Sequence, residues 1–117
     1  MSDSQVALIH DFLPVEIASG VRIKALFGNS AMVNLVELDP GGFVPLHKHP
    51  HEQIGYVVSG QILMTIAGEE HHLEPGGSYV IPGGIEHSAL AGPEGCEALD
   101  FFCPIREDYR DLVLKDR

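Results

Sequence analysis

The sequence has no tryptophan, two cysteines, and only seven lysine and arginine residues against 17 aspartate and glutamate, a formal net charge of −10 over 117 residues. Neutralising a row of phosphates takes clustered cations, so this balance argues against nucleic acid and anionic membrane surfaces as partners. Long apolar runs are also missing. The longest, such as residues 6–9, fall far short of the ~20 residues a membrane helix needs. The start Met-Ser-Asp-Ser-Gln lacks the basic segment of a signal peptide, and a cytoplasmic location is expected. Cys96 and Cys103 form no Cys-x-x-Cys motif. In a reducing compartment they are expected to be two buried free thiols, not a disulfide or a metal site.

What the sequence does hold is enough apolar material, 44% of residues, to build one core, and a length suited to one domain, residues 1–117. Its 13 glycines and 8 prolines recur in turn signals such as Asp39-Pro40-Gly41-Gly42, Ser59-Gly60, Pro75-Gly76-Gly77 and Pro82-Gly83-Gly84. Between the turns lie short runs rich in Val, Ile, Leu, Tyr and Phe at residues 21–27, 32–38, 53–58, 61–67, 78–81, 87–91 and 96–103. Turn punctuation at roughly 8–12-residue spacing reads as an all-β sandwich or barrel. Several runs alternate, whereas others are apolar on both faces, as in a barrel or jelly roll that buries its outer face on a second subunit. The tail differs. Residues 106–115 place Tyr109, Leu112 and Val113 at helical spacing, with Glu107 and Asp108 in the first turn, where the helix dipole favours acids. One short C-terminal helix is predicted.

Chemistry concentrates in Leu46-His47-Lys48-His49-Pro50-His51-Glu52-Gln53. In an extended chain alternate side chains share a face, so His47, His49, His51 and Gln53 have one parity and two imidazoles at i and i+2 can reach one metal ion. Pro50 suits an edge or bulge, and parity alone leaves open whether His51 or Gln53 completes the set. His10, His71 and His72 read as surface residues, the last two in a turn. An isolated His-x-His is most often part of a solvated loop. Here its surroundings say otherwise. Gly41, five residues, His47-Lys48-His49, three residues, Gln53, six residues and Gly60 resemble the first cupin motif, with Gln where Glu is usual. Gly76, five residues, Pro82-Gly83-Gly84-Ile85-Glu86-His87 resemble the second, which departs at its last position, where Ala91 replaces Asn.

The resemblance implies a double-stranded β-helix, or jelly-roll barrel, assembled as a homodimer. Carried over by position, it implies that His47, His49, Gln53 and His87 bind one divalent transition metal. Imidazoles and an amide oxygen suit Ni, Fe, Zn, Mn or Cu. Three His and one Gln would leave the full 2+ charge on the ion, a stronger Lewis acid than a site with a carboxylate. That set also lacks the carboxylate of the facial triad found in many iron oxygenases.

A second signal is the single acid in Ala98-Leu99-Asp100-Phe101-Phe102-Cys103-Pro104-Ile105-Arg106. A carboxyl held among apolar residues is desolvated and its pKa rises, which is how general acids and bases are made. Pairing with Arg106 or capping a turn is the structural alternative. This stretch, with His-Lys-His-Pro-His-Glu-Gln-Ile-Gly-Tyr-Val and Tyr-Val-Ile-Pro-Gly-Gly-Ile-Glu-His, is similar to the small pectin-degradation cupins, which convert 4,5-unsaturated monouronates into linear 5-keto-4-deoxyuronates. That likeness implies that Asp100, Phe102 and Arg106 line the metal pocket. It also implies a small anionic substrate, a carboxylate-bearing sugar. Two other readings fit a cupin sequence: a non-catalytic or sensory cupin that binds a small molecule, and a metal-dependent lyase or dioxygenase acting on another small carboxylate. Asp100 discriminates against the first, and the Gln ligand against the dioxygenase.

Overall fold

The computed structural model describes residues 4–115. A 3-10 turn at Ile9–Asp11 precedes eight strands: β1 (Val15–Ala18), β2 (Val21–Phe27), β3 (Met32–Leu38), β4 (Phe43–His47), β5 (Glu52–Ile66), β6 (Glu69–Leu73), β7 (Ser78–Ile81) and β8 (His87–Cys103). A single α-helix, α1 (Glu107–Lys115), follows, one residue shorter at its start than the predicted segment. Every strand pairing is antiparallel. The all-β reading with one short terminal helix therefore holds.

Two long strands organise the barrel. The first half of β5 pairs with the second half of β8, from Glu52↔Cys103 to Gly60↔Cys96, and its second half pairs with the start of β8, from Ile62↔Ala91 to Ile66↔His87. The β1-β2-β3 meander extends one half, with β7 on its far side, while β4 and β6 flank the other. The two halves thus form facing walls, a jelly-roll arrangement. Sequence reading divides β5 at Ser59-Gly60 and β8 at Gly92-Pro93-Glu94-Gly95, yet each is one strand. The register slips between Val57 and Ser59 and between Gly60 and Ile62, and such bulges bend a strand without ending its pairing. Gly60 has φ +75°, and a Cβ there would run into the carbonyl of Gly95, so the corner requires glycine.

Val21, Ile23 and Ala25 of β2, Val36 and Leu38 of β3, Val57 of β5 and Ala98 of β8 belong to the packed core. This lining is interrupted by buried polar residues, Asn34, Gln53 and Asp100. Register brings them together: Asn34 faces Asp100 across β3 and β8, and Gln53 faces Phe102 on the adjacent rung. The outer face opposite is apolar and open, with Val80, Ile54 and Phe101 aligned across β7, β5 and β8 and each more than two-fifths exposed.

Three details differ from expectation. Cys96 and Cys103 are both free thiols, but only Cys96 is buried; Cys103 is exposed because it has the outward parity at the end of β8. His71 and His72 lie in β6, not in a turn, and both are exposed. In α1 Val113 packs into the core whereas Leu112 stays exposed. Among the described residues, no helix is long and apolar enough to cross a membrane.

Candidate metal centre

His47 closes β4, His49 sits in the connection that follows, Gln53 is the second residue of β5 and His87 opens β8. His47 and His87 are direct cross-strand partners, with ring centroids 4.2 Å apart, and the His49 ring lies 4.9 Å from that of His87. One potential ligand atom from each of the three lies within 4.8 Å of the others.

The hydrogen bonds behind these rings settle how each is presented. His47 Nδ1 lies 2.8 Å from the Pro45 carbonyl, His49 Nδ1 3.1 Å from that of His51, and His87 Nδ1 2.8 Å from that of Ile85. A carbonyl only accepts, so in His47 and His87 the Nδ1 that faces it carries the hydrogen and Nε2 keeps the lone pair, whereas His49 has an acceptor at each nitrogen. Burial is the main reason that the pKa of His49 is lowered to about 4, with Arg106 and His87 adding to it, and burial likewise lowers that of His87. Both rings are therefore neutral at pH 7.

Gln53 Oε1 lies 3.1 Å from His49 Nε2. A neutral His49 ring has one hydrogen for two acceptors, and a cation held by Nε2 and Oε1 would leave that hydrogen to the His51 carbonyl. The buried Nε2 of His87 has no hydrogen-bond partner among the described residues. Three imidazole nitrogens and one amide oxygen are a donor set for a divalent first-row metal, so the residues fit such an ion. His51 stands outside the cluster and contributes its backbone carbonyl, which orients His49. Parity counted from His47 fails at His51 because the chain bends at Pro50 before β5 begins.

Asp100 is beside this group and 9% exposed. The Tyr79 hydroxyl donates to its Oδ1 at 2.5 Å, and the Gln53 amide is a second donor. Burial pushes the Asp100 pKa up, and these two hydrogen bonds oppose it. A glutamate at position 53 would place a second carboxylate against Asp100, which accounts for an amide there. The Tyr79 ring reaches Asp100 by crossing Gly55, which lies between them in register on β5. A Cβ on Gly55 would overlap that ring.

Arg106 does not pair with Asp100. Its Nε and Nη2 donate to Asp108 at 3.1 and 2.7 Å, and its guanidinium carbon lies 3.9 Å from the Tyr109 ring centroid and 5.2 Å from that of Phe102. Nη1 is buried without a hydrogen-bond partner among the described residues. Phe102 is buried, its ring tilted edge-on to His49 at 5.5 Å. His47, Gln53, His87, Asp100, Phe102 and Arg106 line one cavity together with Asn34 and Tyr79, and the His49 ring packs against this wall beside His87 and Phe102.

Sequence reasoning brought the histidines, Gln53, Asp100, Phe102 and Arg106 to this cavity but missed Tyr79, Asn34 and Asp108. Asn34 carried a usable signal, a polar residue at the inward parity of an apolar strand, as with Asp100. Tyr79 carried none, because its partner is set by strand pairing.

Comparison with known proteins agrees with this geometry. Residues 34–102 match the family model of the cupin domain. The pectin degradation protein KdgF of Dickeya dadantii is 30% identical over 96 residues, 80% of this chain and 87% of that protein. The structure of KdgF from Halomonas sp. superposes with a TM-score of 0.84 at 30% identity, covering 91% of this chain and 98% of the other. An RmlC-like cupin from Shewanella frigidimarina has the same TM-score, 0.84, at 28% identity over 92% and 96% of the two chains. With the family match spanning more than half the sequence and these relatives extending it over nearly all of the barrel, the chain belongs to the cupin domain family.

Proposed function

We propose that the protein is a metal-dependent enzyme of sugar-acid breakdown that opens the ring of 4,5-unsaturated monouronates to give linear 5-keto-4-deoxyuronates. One observation carries the reading: His47 and His87 of the histidine cluster, the buried Asp100 and Arg106, whose Nη1 has no hydrogen-bond partner among the described residues, line a single cavity. Support comes from the likeness to pectin degradation proteins over most of the chain.

The reaction is an isomerisation. The C1–O5 bond breaks, C1 becomes an aldehyde and C5 a ketone, and one proton leaves the anomeric hydroxyl while one arrives at C4. No water or redox partner is consumed. A divalent ion of Ni, Fe, Zn, Mn or Cu, held by His47, His49, Gln53 and His87, supplies Lewis-acid polarisation of the substrate's oxygens. Arg106 grips the carboxylate through Nη1, while Asp108 and the Tyr109 ring hold the rest of the guanidinium in place. Asp100 carries the proton. Phe102 closes the wall between His49 and Arg106 and keeps water from the reacting face.

Arg106→Ala is expected to raise KM and lower kcat/KM by about 10²-fold or more, since a charged contact to the substrate is lost in ground and transition states alike. Steady-state kinetics check this, and an unchanged KM removes Arg106 from substrate binding. The open apolar row of Val80, Ile54 and Phe101 is assigned to a homodimer interface with a second copy of the chain. A solution mass of a dimer at micromolar concentration is expected, and a monomer mass contradicts it. Free thiols at Cys96 and Cys103 suit a reducing, cytoplasmic location.

A further inference from the structure

The polar groups of the cavity wall are accounted for with one exception. Asn34 is 1% exposed, among the most buried residues of the protein, and neither its amide nitrogen nor its amide oxygen has a hydrogen-bond partner among the described residues. Its cross-strand neighbour Asp100 is taken by Tyr79 and Gln53. Around it the wall is apolar, with Ile23, Val36 and Ala98. An amide buried with no partner in the protein costs stability, and a barrel built only for packing would carry Leu or Val at this inward position of β3. The amide lines the cavity, where water satisfies it when no ligand is bound, and because an amide both donates and accepts, the ligand group that can take the place of that water is a hydroxyl.

We infer that Asn34 reads a hydroxyl group of the bound ligand, making the cavity selective for polyhydroxy carboxylates over carboxylates of the same size without hydroxyls. The inference rests on the sugar-acid reading above and extends it to a residue outside the metal, proton and carboxylate roles. With Arg106 taking the carboxylate, Asn34 contacts the ligand from β3, beside Asp100, and so fixes how the sugar ring is turned towards the proton carrier. Asn34 is a specificity residue.

The test compares zinc-loaded wild type with zinc-loaded Asn34→Leu, an apolar replacement of similar size, by calorimetric titration with two probes. One is D-galacturonate; the other is tetrahydropyran-2-carboxylate, which keeps the ring oxygen and carboxylate and has no hydroxyls. Wild type should prefer galacturonate by about tenfold, the worth of a buried amide satisfied against one left unpaired. Asn34→Leu should lose that preference while binding the plain carboxylate as wild type does. Its Tm without ligand should rise by a few degrees, because a buried amide with no partner in the protein has been removed. A purely structural asparagine would give a lower Tm and an unchanged preference. That result, retention of the preference in the variant, or an equal loss of both probes overturns the inference while leaving the sugar-acid reading intact. Failure of wild type to bind either probe overturns that reading and the inference with it. Asn34→Ala, carried through the same titrations, supplies the answer if the leucine variant does not fold.

Discussion

Turnover of a 4,5-unsaturated monouronate by Asp100→Asn should fall by about 10²–10⁴-fold, the usual worth of a general acid or base, while the bound metal stays stoichiometric. Asparagine has the same shape, and its Oδ1 can still accept from the Tyr79 hydroxyl. What it cannot do is take up or release a proton. It also presents an N–H group to the Gln53 amide where the carboxylate accepted, so Gln53 turns and the three imidazoles hold the ion. The metal content of the variant shows that the ion is kept, and the pH profile assigns the loss of rate to the proton. Burial holds the Asp100 pKa above the ordinary aspartate value, so in wild type the rate should fall on the acidic side at a pH above that value, and this limb should vanish in the variant. Wild-type rates in Asp100→Asn would remove the acid from the mechanism.

His87→Ala should abolish stoichiometric metal binding. The lone pairs of His47, His49 and His87 converge because each Nδ1 is tied to a backbone carbonyl, which fixes ring orientation before any ion arrives. Loss of groups that merely orient ligands costs 10–100-fold in affinity. Removing a ligand outright should cost about 100-fold or more, leaving two imidazoles and a neutral amide. The fold should survive, since the substitution removes one side-chain hydrogen bond, from Nδ1 to the Ile85 carbonyl, and Nε2 has no partner among the described residues. Circular dichroism together with the metal-to-protein ratio after gel filtration checks both statements. Full occupancy in the variant contradicts the ligand set.

How much of this was legible in the sequence depends on whether a feature is local. Strands β2 and β3 were readable to the residue because turn residues bound them and their apolar residues alternate. The histidines were readable because ligands on neighbouring extended positions leave a spacing. The bends of β5 and β8 were not, since a bulge with a glycine looks like a turn until the partner strand is known. The Tyr79–Gly55–Asp100 row lay beyond reach for the same reason: three residues far apart in sequence meet only through register. The support of Arg106 by Asp108 was local but hidden, because an acid in the first turn of a helix is already explained by the dipole.

The central claim is that the metal-loaded protein opens unsaturated uronate rings. The direct measurement adds it to a 4,5-unsaturated monouronate and follows the loss of the ultraviolet absorbance of the conjugated C4=C5 bond, with the linear product identified by NMR. Conversion faster than in buffer, stopped by a chelator and restored by a divalent ion, is the predicted result. A rate equal to that in buffer, with the metal shown to be bound, would contradict it.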